Sequence, residues 1–173
     1  MSSGLTFILG GAASGKSEFA EILARTSGKP LHYLATSQPF DHEMRQKVDI
    51  HRARRGTDWT THEAPLELAP VLEALPTGAI CLLDCATFWL SNHMMAESDL
   101  DAAQSRLLRA LSDCPAAVIV VSNEVGQGIV PADALSRRFR EAQGRLNIAL
   151  AARADLVVQV VAGLPNVLKG KLP

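Results

Sequence analysis

The residues Gly10 to Ser17 constrain the fold of this 173-residue chain more than any other segment, and they read Gly-Gly-Ala-Ala-Ser-Gly-Lys-Ser. They match the pattern G-x-x-x-x-G-K-[ST], and they lie between an apolar run, Leu5–Leu9, and a segment with helical spacing, Phe19–Leu23. Glycines at both ends let the backbone turn tightly and direct successive N–H groups at one anion. The sequence therefore predicts a phosphate-binding loop between the first strand and the first helix. The alternative is an ordinary glycine-rich turn.

Two residues at the end of this loop predict how a nucleoside triphosphate would be held. The Lys16 ammonium would reach the β- and γ-phosphates, and the Ser17 hydroxyl would complete the coordination shell of a Mg²⁺ ion. The intervening Ala12, Ala13 and Ser14 would contribute main-chain N–H groups. We therefore expect nucleotide contacts throughout the loop, with the following members: Gly10, Gly11, Ala12, Ala13, Ser14, Gly15, Lys16 and Ser17.

Short apolar runs recur along the chain and predict buried strands at Leu5–Leu9, Leu31–Ala35, Ala79–Leu83, Ala116–Val121 and Leu156–Val161. Segments with helical spacing lie between them, and this alternation predicts a parallel sheet with helices on both faces. The expected fold class is α/β, a three-layer fold of the P-loop NTPase type with a mostly parallel central sheet (RecA-like). No repeat or linker interrupts the sequence, so residues 1–173 are predicted to form one nucleotide-binding domain.

The amino-acid composition of the chain narrows the classes of molecule that it can bind. The chain has 17 Lys and Arg against 18 Asp and Glu, whereas nucleic-acid-binding domains are strongly basic. No apolar run is long enough to cross a bilayer. The three cysteines form no Cys-x-x-Cys pair, which argues against a disulfide framework or a zinc site and favours a reducing cytoplasm. We expect small-molecule substrates, no nucleic-acid partner and no membrane span.

Asp84 closes the third predicted strand, and ligands of open α/β folds bind at the carboxyl ends of the strands. It is therefore a candidate Mg²⁺ ligand. The alternative is an Asp that caps a helix starting at Ala86.

His51 lies in a polar segment, residues 40–55, that is predicted to be helical, and Arg52, Arg54 and Arg55 follow it closely. Guanidinium groups suit polyphosphate oxygens, and their field would lower the imidazole pKa, leaving the ring neutral and nucleophilic near pH 7. The alternative is a histidine on a solvated helix face.

Taken together, several segments resemble one family, the bifunctional adenosylcobinamide kinase and adenosylcobinamide-phosphate guanylyltransferases of cobalamin biosynthesis. The resemblance covers nearly the whole chain. Its most specific part is Asn-Glu-Val-Gly-Gln-Gly-Ile-Val-Pro at 123–131. The other segments that carry it are Gly10–Ser17, Tyr33–Ser37, His51–Arg55 leading into Trp59 and Glu63, and Gly144–Asn147. Departures from the family pattern occur at Ala13, at Gly56 after Arg55, and at Ile148.

The resemblance implies that His51 is guanylylated during catalysis and that Lys16 assists phosphoryl transfer. It implies Mg²⁺ as cofactor, held by Ser17 and Asp84, with ATP and GTP as nucleotide substrates and adenosylcobinamide, a corrinoid, as acceptor. It also implies a homo-oligomer, with a trimer as the suggested form. Beyond the phosphate loop, the implied nucleotide contacts are Ala35, Thr36, Ser37, Arg52, Ala53, Arg54, Arg55, Glu63 and Asp84.

Two other functions fit the phosphate loop. One is a plain small-molecule or nucleotide kinase in which His51 takes no part. The other is a nucleotide-regulated binding protein, in which the triphosphate switches a loop and no acceptor is modified. The residues of the 123–131 segment leave its role open, since its glycines suit either a ligand-contacting loop or a sharp exit from the sheet.

Overall fold

The computed structural model describes residues 4–38 and 56–173, and within these ranges seven strands form one sheet in the order β3-β2-β4-β5-β1-β6-β7. The strands are β1 Leu5–Gly10, β2 Leu31–Ala35, β3 Trp59–Glu63, β4 Ile80–Asp84, β5 Ala117–Asn123, β6 Leu156–Val161 and β7 Leu164–Lys169. The helices are α1 Lys16–Thr26, α2 Ala69–Glu73, α3 Ala86–Met95, α4 Leu100–Asp113 and α5 Ala134–Arg153. All neighbouring strands pair in parallel except β6 and β7, which form an antiparallel hairpin.

Side chains of the central strands are buried on both faces of the sheet. Along β5, Val118 and Val120 pack with α4 and α5 on one face, whereas Ile119 and Val121 pack with α1 on the other. When both faces of a strand are covered, its sequence is a continuous apolar run, because both sets of alternating side chains are buried away from water. This confirms the predicted α/β fold with a mostly parallel sheet between two helical layers.

All five predicted strands are present, with ends within two residues of the predicted ones. Two strands were missed, β3 and β7, and both lie at the edges of the sheet. The β3 sequence, Trp-Thr-Thr-His-Glu, is mostly polar, and β7 contains Pro165 and is exposed at all six positions. Edge strands tolerate polar side chains and proline because one of their sides forms no ladder. Neither strand therefore carries the apolar signal that marks a buried one.

The predicted helices after β1 and before β5 and β6 are present as α1, α4 and α5. The predicted helix at 40–55 lies outside the described residues. No helix in the described ranges is both long and apolar enough to cross a membrane. The assignment of residues 1–173 to one domain stays a prediction.

Candidate nucleotide-binding site

The carboxyl ends of β1 to β5 meet along one edge of the sheet and bring together residues that are distant in sequence. Ala35 at the end of β2 pairs with both Glu63 on β3 and Asp84 on β4. On the other side of β4, Gly10 at the end of β1 pairs with Asn123 on β5. The predicted site residues in the described ranges thus lie along one edge, where open α/β folds bind their ligands.

The phosphate loop, residues 10–17, turns through two residues in the left-handed region, Ala13 at φ 54° and Gly15 at φ 88°. The N–H of Ser14 donates to the Gly11 carbonyl (3.3 Å), and Lys16 Nζ donates to the same carbonyl (3.1 Å). The side chain of Lys16 is therefore folded back over the loop. Helix α1 begins at Lys16, so its positive end faces the space enclosed by the loop.

The turn between β6 and β7 supports the phosphate loop from the side. The N–H of Gly163 donates to the Ser14 carbonyl (2.8 Å). A Cβ at Gly15 would lie 3.1 Å from the Gly163 Cα, and a Cβ at Gly10 would lie 2.5 Å from the Val160 carbonyl oxygen. The glycines of the motif thus allow close backbone contact with the hairpin as well as tight turning. Sequence reasoning missed this support because it missed β7.

Replacing Gly10 by alanine should destabilise the protein by about 1–3 kcal/mol, because the new methyl group overlaps main chain that cannot move aside cheaply. Urea unfolding followed by circular dichroism measures the change. Gly11→Ala is the matched control, since a Cβ there meets no atom within 4 Å. Its effect should stay within about 0.5 kcal/mol. Equal losses in the two variants would contradict the close packing of Gly10 against the Val160 carbonyl.

The ammonium of Lys16 lies in a partly desolvated place beside acidic groups. Burial lowers its pKa below the ordinary lysine value, and the charges of Cys85 and Asp84 oppose that shift. The Cys85 thiol is itself buried, which raises its pKa to about 12 and keeps it protonated at neutral pH. Asp84 is therefore the charged neighbour that opposes the lowering of the Lys16 pKa.

Asp84 does not occupy the capping position of α3, whose N-cap residue is Cys85. Its Oδ2 accepts a hydrogen bond from the Tyr33 hydroxyl (3.1 Å), which orients the carboxylate at the end of β4. Thr36, fully buried, donates from its hydroxyl to the Cys85 carbonyl (2.7 Å) and accepts from the Cys85 N–H (2.9 Å). Asn92 on α3 donates to the Thr36 carbonyl (2.8 Å). These contacts fix the ends of β2 and β4 together.

Tyr33 and Asn92 are supporting residues that sequence reasoning did not select. Tyr33 lay within a segment of the family resemblance, but its partner could be seen only once β2 and β4 were paired. Ser37 is half-buried beyond the end of β2, and Glu63 is exposed at the end of β3. His51, Arg52, Ala53, Arg54 and Arg55 lie outside the described residues.

The loop that follows β5 is held by α5. Arg140 donates to the carbonyls of Gly126 and Ile129, and Arg137 donates to those of Pro131 and Ala132. Neither of the loop glycines, 126 and 128, has a φ in the left-handed region. The loop starts beside the phosphate loop, since the N–H of Glu124 donates to the Gly10 carbonyl (2.9 Å).

The donor set at the site fits Mg²⁺. Ser17 supplies a hydroxyl and Asp84 a carboxylate, and Mg²⁺ prefers such hard oxygen ligands. Within residues 4–38 and 56–173 there is no cluster of three or more His, Cys, Asp and Glu side chains that could enclose a metal. Mg²⁺ does not need one, because it commonly keeps several waters and binds one or two side chains together with substrate phosphates.

A phosphate loop that joins the first strand of a mostly parallel sheet to its first helix defines a P-loop nucleotide-binding protein. The RadB recombinase structure is similar in fold, with a TM-score of 0.55 and 19% identity, covering 91% of this chain and 74% of that one. The CobU family model, described as cobinamide kinase / cobinamide phosphate guanyltransferase, matches residues 6–168. The chain belongs to this family and is an enzyme of that class.

Two relatives agree with this assignment. The bifunctional adenosylcobalamin biosynthesis protein CobP of Pseudomonas aeruginosa is 46% identical over 167 residues, which are 95% of this chain and 96% of that protein. The bifunctional adenosylcobalamin biosynthesis protein CobU of Salmonella typhimurium is 40% identical over 177 aligned residues, covering 92% of this chain and 97% of that protein. The resemblance inferred from the sequence motifs is confirmed.

Proposed function

We propose that this protein phosphorylates adenosylcobinamide with ATP or GTP and then transfers GMP from GTP to the product through a guanylyl-histidine intermediate at His51. The products of the second reaction are adenosylcobinamide-GDP and pyrophosphate. The observation that carries the proposal is the phosphate loop of a CobU-family chain, with Lys16 folded over it and Asp84 beside it. One nucleotide site would serve both reactions.

In the kinase reaction, the acceptor hydroxyl oxygen attacks the γ-phosphorus. The bond from this phosphorus to the β–γ bridging oxygen breaks, and the hydroxyl proton passes to solvent. Lys16 and the main-chain N–H groups of the loop are placed to stabilise the negative charge on the phosphates. Mg²⁺, held by Ser17 and Asp84, would supply further positive charge to the β- and γ-phosphates. The lowered pKa of Lys16 does not oppose this role, since phosphate oxygens favour the charged ammonium.

In the guanylyltransferase reaction, a neutral nitrogen of His51 attacks the α-phosphorus of GTP. The bond to the α–β bridging oxygen breaks and pyrophosphate leaves. A phosphate oxygen of the phosphorylated corrinoid then attacks the same phosphorus, the phosphorus–nitrogen bond breaks, and the imidazole is restored. A covalent intermediate divides one difficult displacement into two easier ones. Arg52, Arg54 and Arg55 are proposed to hold the nucleotide for this attack.

The proposal is tested by incubating the protein with Mg²⁺ and GTP labelled at the α-phosphate, followed by denaturation and gel electrophoresis. We expect label on the protein that is lost in acid and retained in alkali, as for a phosphoramidate. GTP labelled at the γ-phosphate should leave no such label, because that phosphate departs with pyrophosphate. Adding phosphorylated cobinamide should release the α-label as cobinamide-GDP.

The same experiment separates the two other functions. A plain kinase would transfer the γ-phosphate to its acceptor and leave no α-label on the protein. A nucleotide-regulated binding protein would retain neither label covalently. Absence of α-label from a folded, GTP-binding protein would therefore overturn the guanylyl-histidine proposal. The proposed homo-oligomer is tested separately by sedimentation, where a monomer at micromolar concentration would contradict it.

A further inference from the structure

Four buried polar side chains form a cluster behind the end of β5. We name it the polar cluster, and its members are Thr87, Ser122, Gln143 and Asn147. Ser122 Oγ donates to Asn147 Oδ1 (2.7 Å), and Gln143 Nε2 donates to both Ser122 Oγ and Asn147 Oδ1 (2.9 Å each). Thr87 Oγ1 lies 3.4 Å from Ser122 Oγ. Buried polar groups are costly unless bonded, so a cluster of this kind calls for a reason beyond packing.

The polar cluster holds the main chain of one residue from both sides. The N–H of Asn123 donates to Thr87 Oγ1 (2.8 Å), and the carbonyl of Asn123 accepts from Asn147 Nδ2 (3.1 Å). One contact comes from α3 and the other from α5, so two helices fix the last residue of β5. The cluster also leaves one polar atom unsatisfied, because Gln143 Oε1 is buried without a hydrogen-bond partner. An unsatisfied buried acceptor lowers the free energy of unfolding.

The side chain of Asn123 is directed to the α1 face of the sheet. Successive side chains of a strand point to opposite faces. Ser122 bonds to α5, and Ile119 and Val121 pack on the α1 face, so Asn123 also belongs to the α1 face. Asn123 pairs with Gly10, and the next residue, Glu124, bonds to the Gly10 carbonyl. Asn123 thus lies beside the strand end where the phosphate loop leaves β1, and its side chain is directed to the α1 face of the sheet.

We infer that Asn123 presents its carboxamide to the phosphate groups of the bound nucleotide, and that the polar cluster consists of positioning residues that fix it there. A carboxamide N–H in this place would donate to a phosphate oxygen, adding a neutral donor opposite the ammonium of Lys16. The inference rests on the proposed nucleotide site at the phosphate loop, and it goes further by assigning a role to Asn123, the first residue of the 123–131 segment, whose role the sequence left open.

The first test changes the charge at Asn123. Asn123→Asp is nearly isosteric, but it replaces a hydrogen-bond donor by an anion that faces phosphate. The affinity for GTP should therefore fall by about tenfold or more. The fall should be smaller at high salt, because salt screens the repulsion between the two anions. Gln127→Glu is the matched control, because it makes the same charge change at an exposed position further along the same loop. Equilibrium binding of a fluorescent GTP analogue measures both variants. Equal affinities in the two variants would overturn the inference.

The second test addresses the cluster through Thr87. Thr87→Val keeps the shape but removes the acceptor of the Asn123 N–H, whereas Thr87→Ser keeps the hydroxyl. We expect kcat of phosphoryl transfer to fall on the order of 100-fold in Thr87→Val, with KM for the nucleotide little changed, and to recover in Thr87→Ser.

A merely structural role would give a different result. Leu72→Ala, at a fully buried position on α2, should lower stability and controls for that effect, because α2 carries no member of the polar cluster. If kcat per folded molecule in Thr87→Val matches that in Leu72→Ala, the positioning role is wrong. Failure of the proposed function would be seen separately, as absence of α-label from the unsubstituted protein, and the effect of Asn123→Asp on GTP binding would still be measurable.

Discussion

Replacing Lys16 by alanine should lower kcat of phosphoryl transfer by about 100- to 1000-fold, the loss typical of removing one preorganised group that stabilises transition-state charge. The physical reason is the placement of the ammonium, which folds back to the Gly11 carbonyl and is partly desolvated beside Asp84. A charge in a desolvated place acts more strongly on the transferring phosphoryl group than one in water. Initial rates with saturating nucleotide and cobinamide measure the effect.

Lys29→Ala is the control for loss of one positive charge, because Lys29 is exposed in the turn that follows the carboxyl end of α1. It should leave kcat unchanged. Lys16→Arg should recover little, since the guanidinium is planar and cannot reproduce a compact point charge in the same space. Turnover of Lys16→Ala equal to that of the unsubstituted protein would contradict the role given to the phosphate loop.

Replacing His51 by alanine should abolish covalent guanylylation and the formation of cobinamide-GDP while leaving cobinamide phosphorylation largely intact. The two reactions separate because only the second requires a nucleophile on the protein, whereas both use the phosphate loop. Label from α-labelled GTP should fall to background, and phosphorylated cobinamide should accumulate. Chromatography of the corrinoid products follows both reactions in one assay.

His62→Ala is the matched control, because His62 is a half-buried histidine on β3 whose Nε2 lies 3.0 Å from Nδ1 of His32 on β2. It should retain α-label at the level of the unsubstituted protein. If His51→Ala loses both activities together, the cause is a folding defect or a wrong assignment, and a thermal melt distinguishes the two. If His51→Ala still becomes labelled, the nucleophile is another residue.

The parts of the fold that the sequence predicts are those with a strong local cause. Buried central strands such as β5 are continuous apolar runs, and the phosphate loop carries its own glycine pattern. The edge strands β3 and β7 have no comparable local pattern in their sequences. Each is held by the single strand that it pairs with, β2 or β6, so it needs no apolar run of its own. Local pattern therefore predicts the centre of the sheet better than its margins.

The site residues also divide into those that the sequence predicts and those that it does not. Lys16, Ser17 and Asp84 could be selected because each stands at a recognisable place in a motif or at a strand end. Tyr33, Asn92 and Gln143 could not, since their importance lies in partners far away in sequence: Asp84, Thr36 and Ser122. A polar residue that bonds across the fold looks, in sequence alone, the same as one that faces water.

The bond from Gly163 to Ser14 has a consequence for the order of events during synthesis. The loop leaves the ribosome well before the turn that supports it, because Gly163 follows Ser14 by 149 positions in the sequence. A nascent chain halted before residue 163 would carry the whole glycine motif without its lateral support. Nucleotide affinity should therefore reach its full value only after the turn between β6 and β7 has been synthesised, when β1 to β6 are already available to form the sheet.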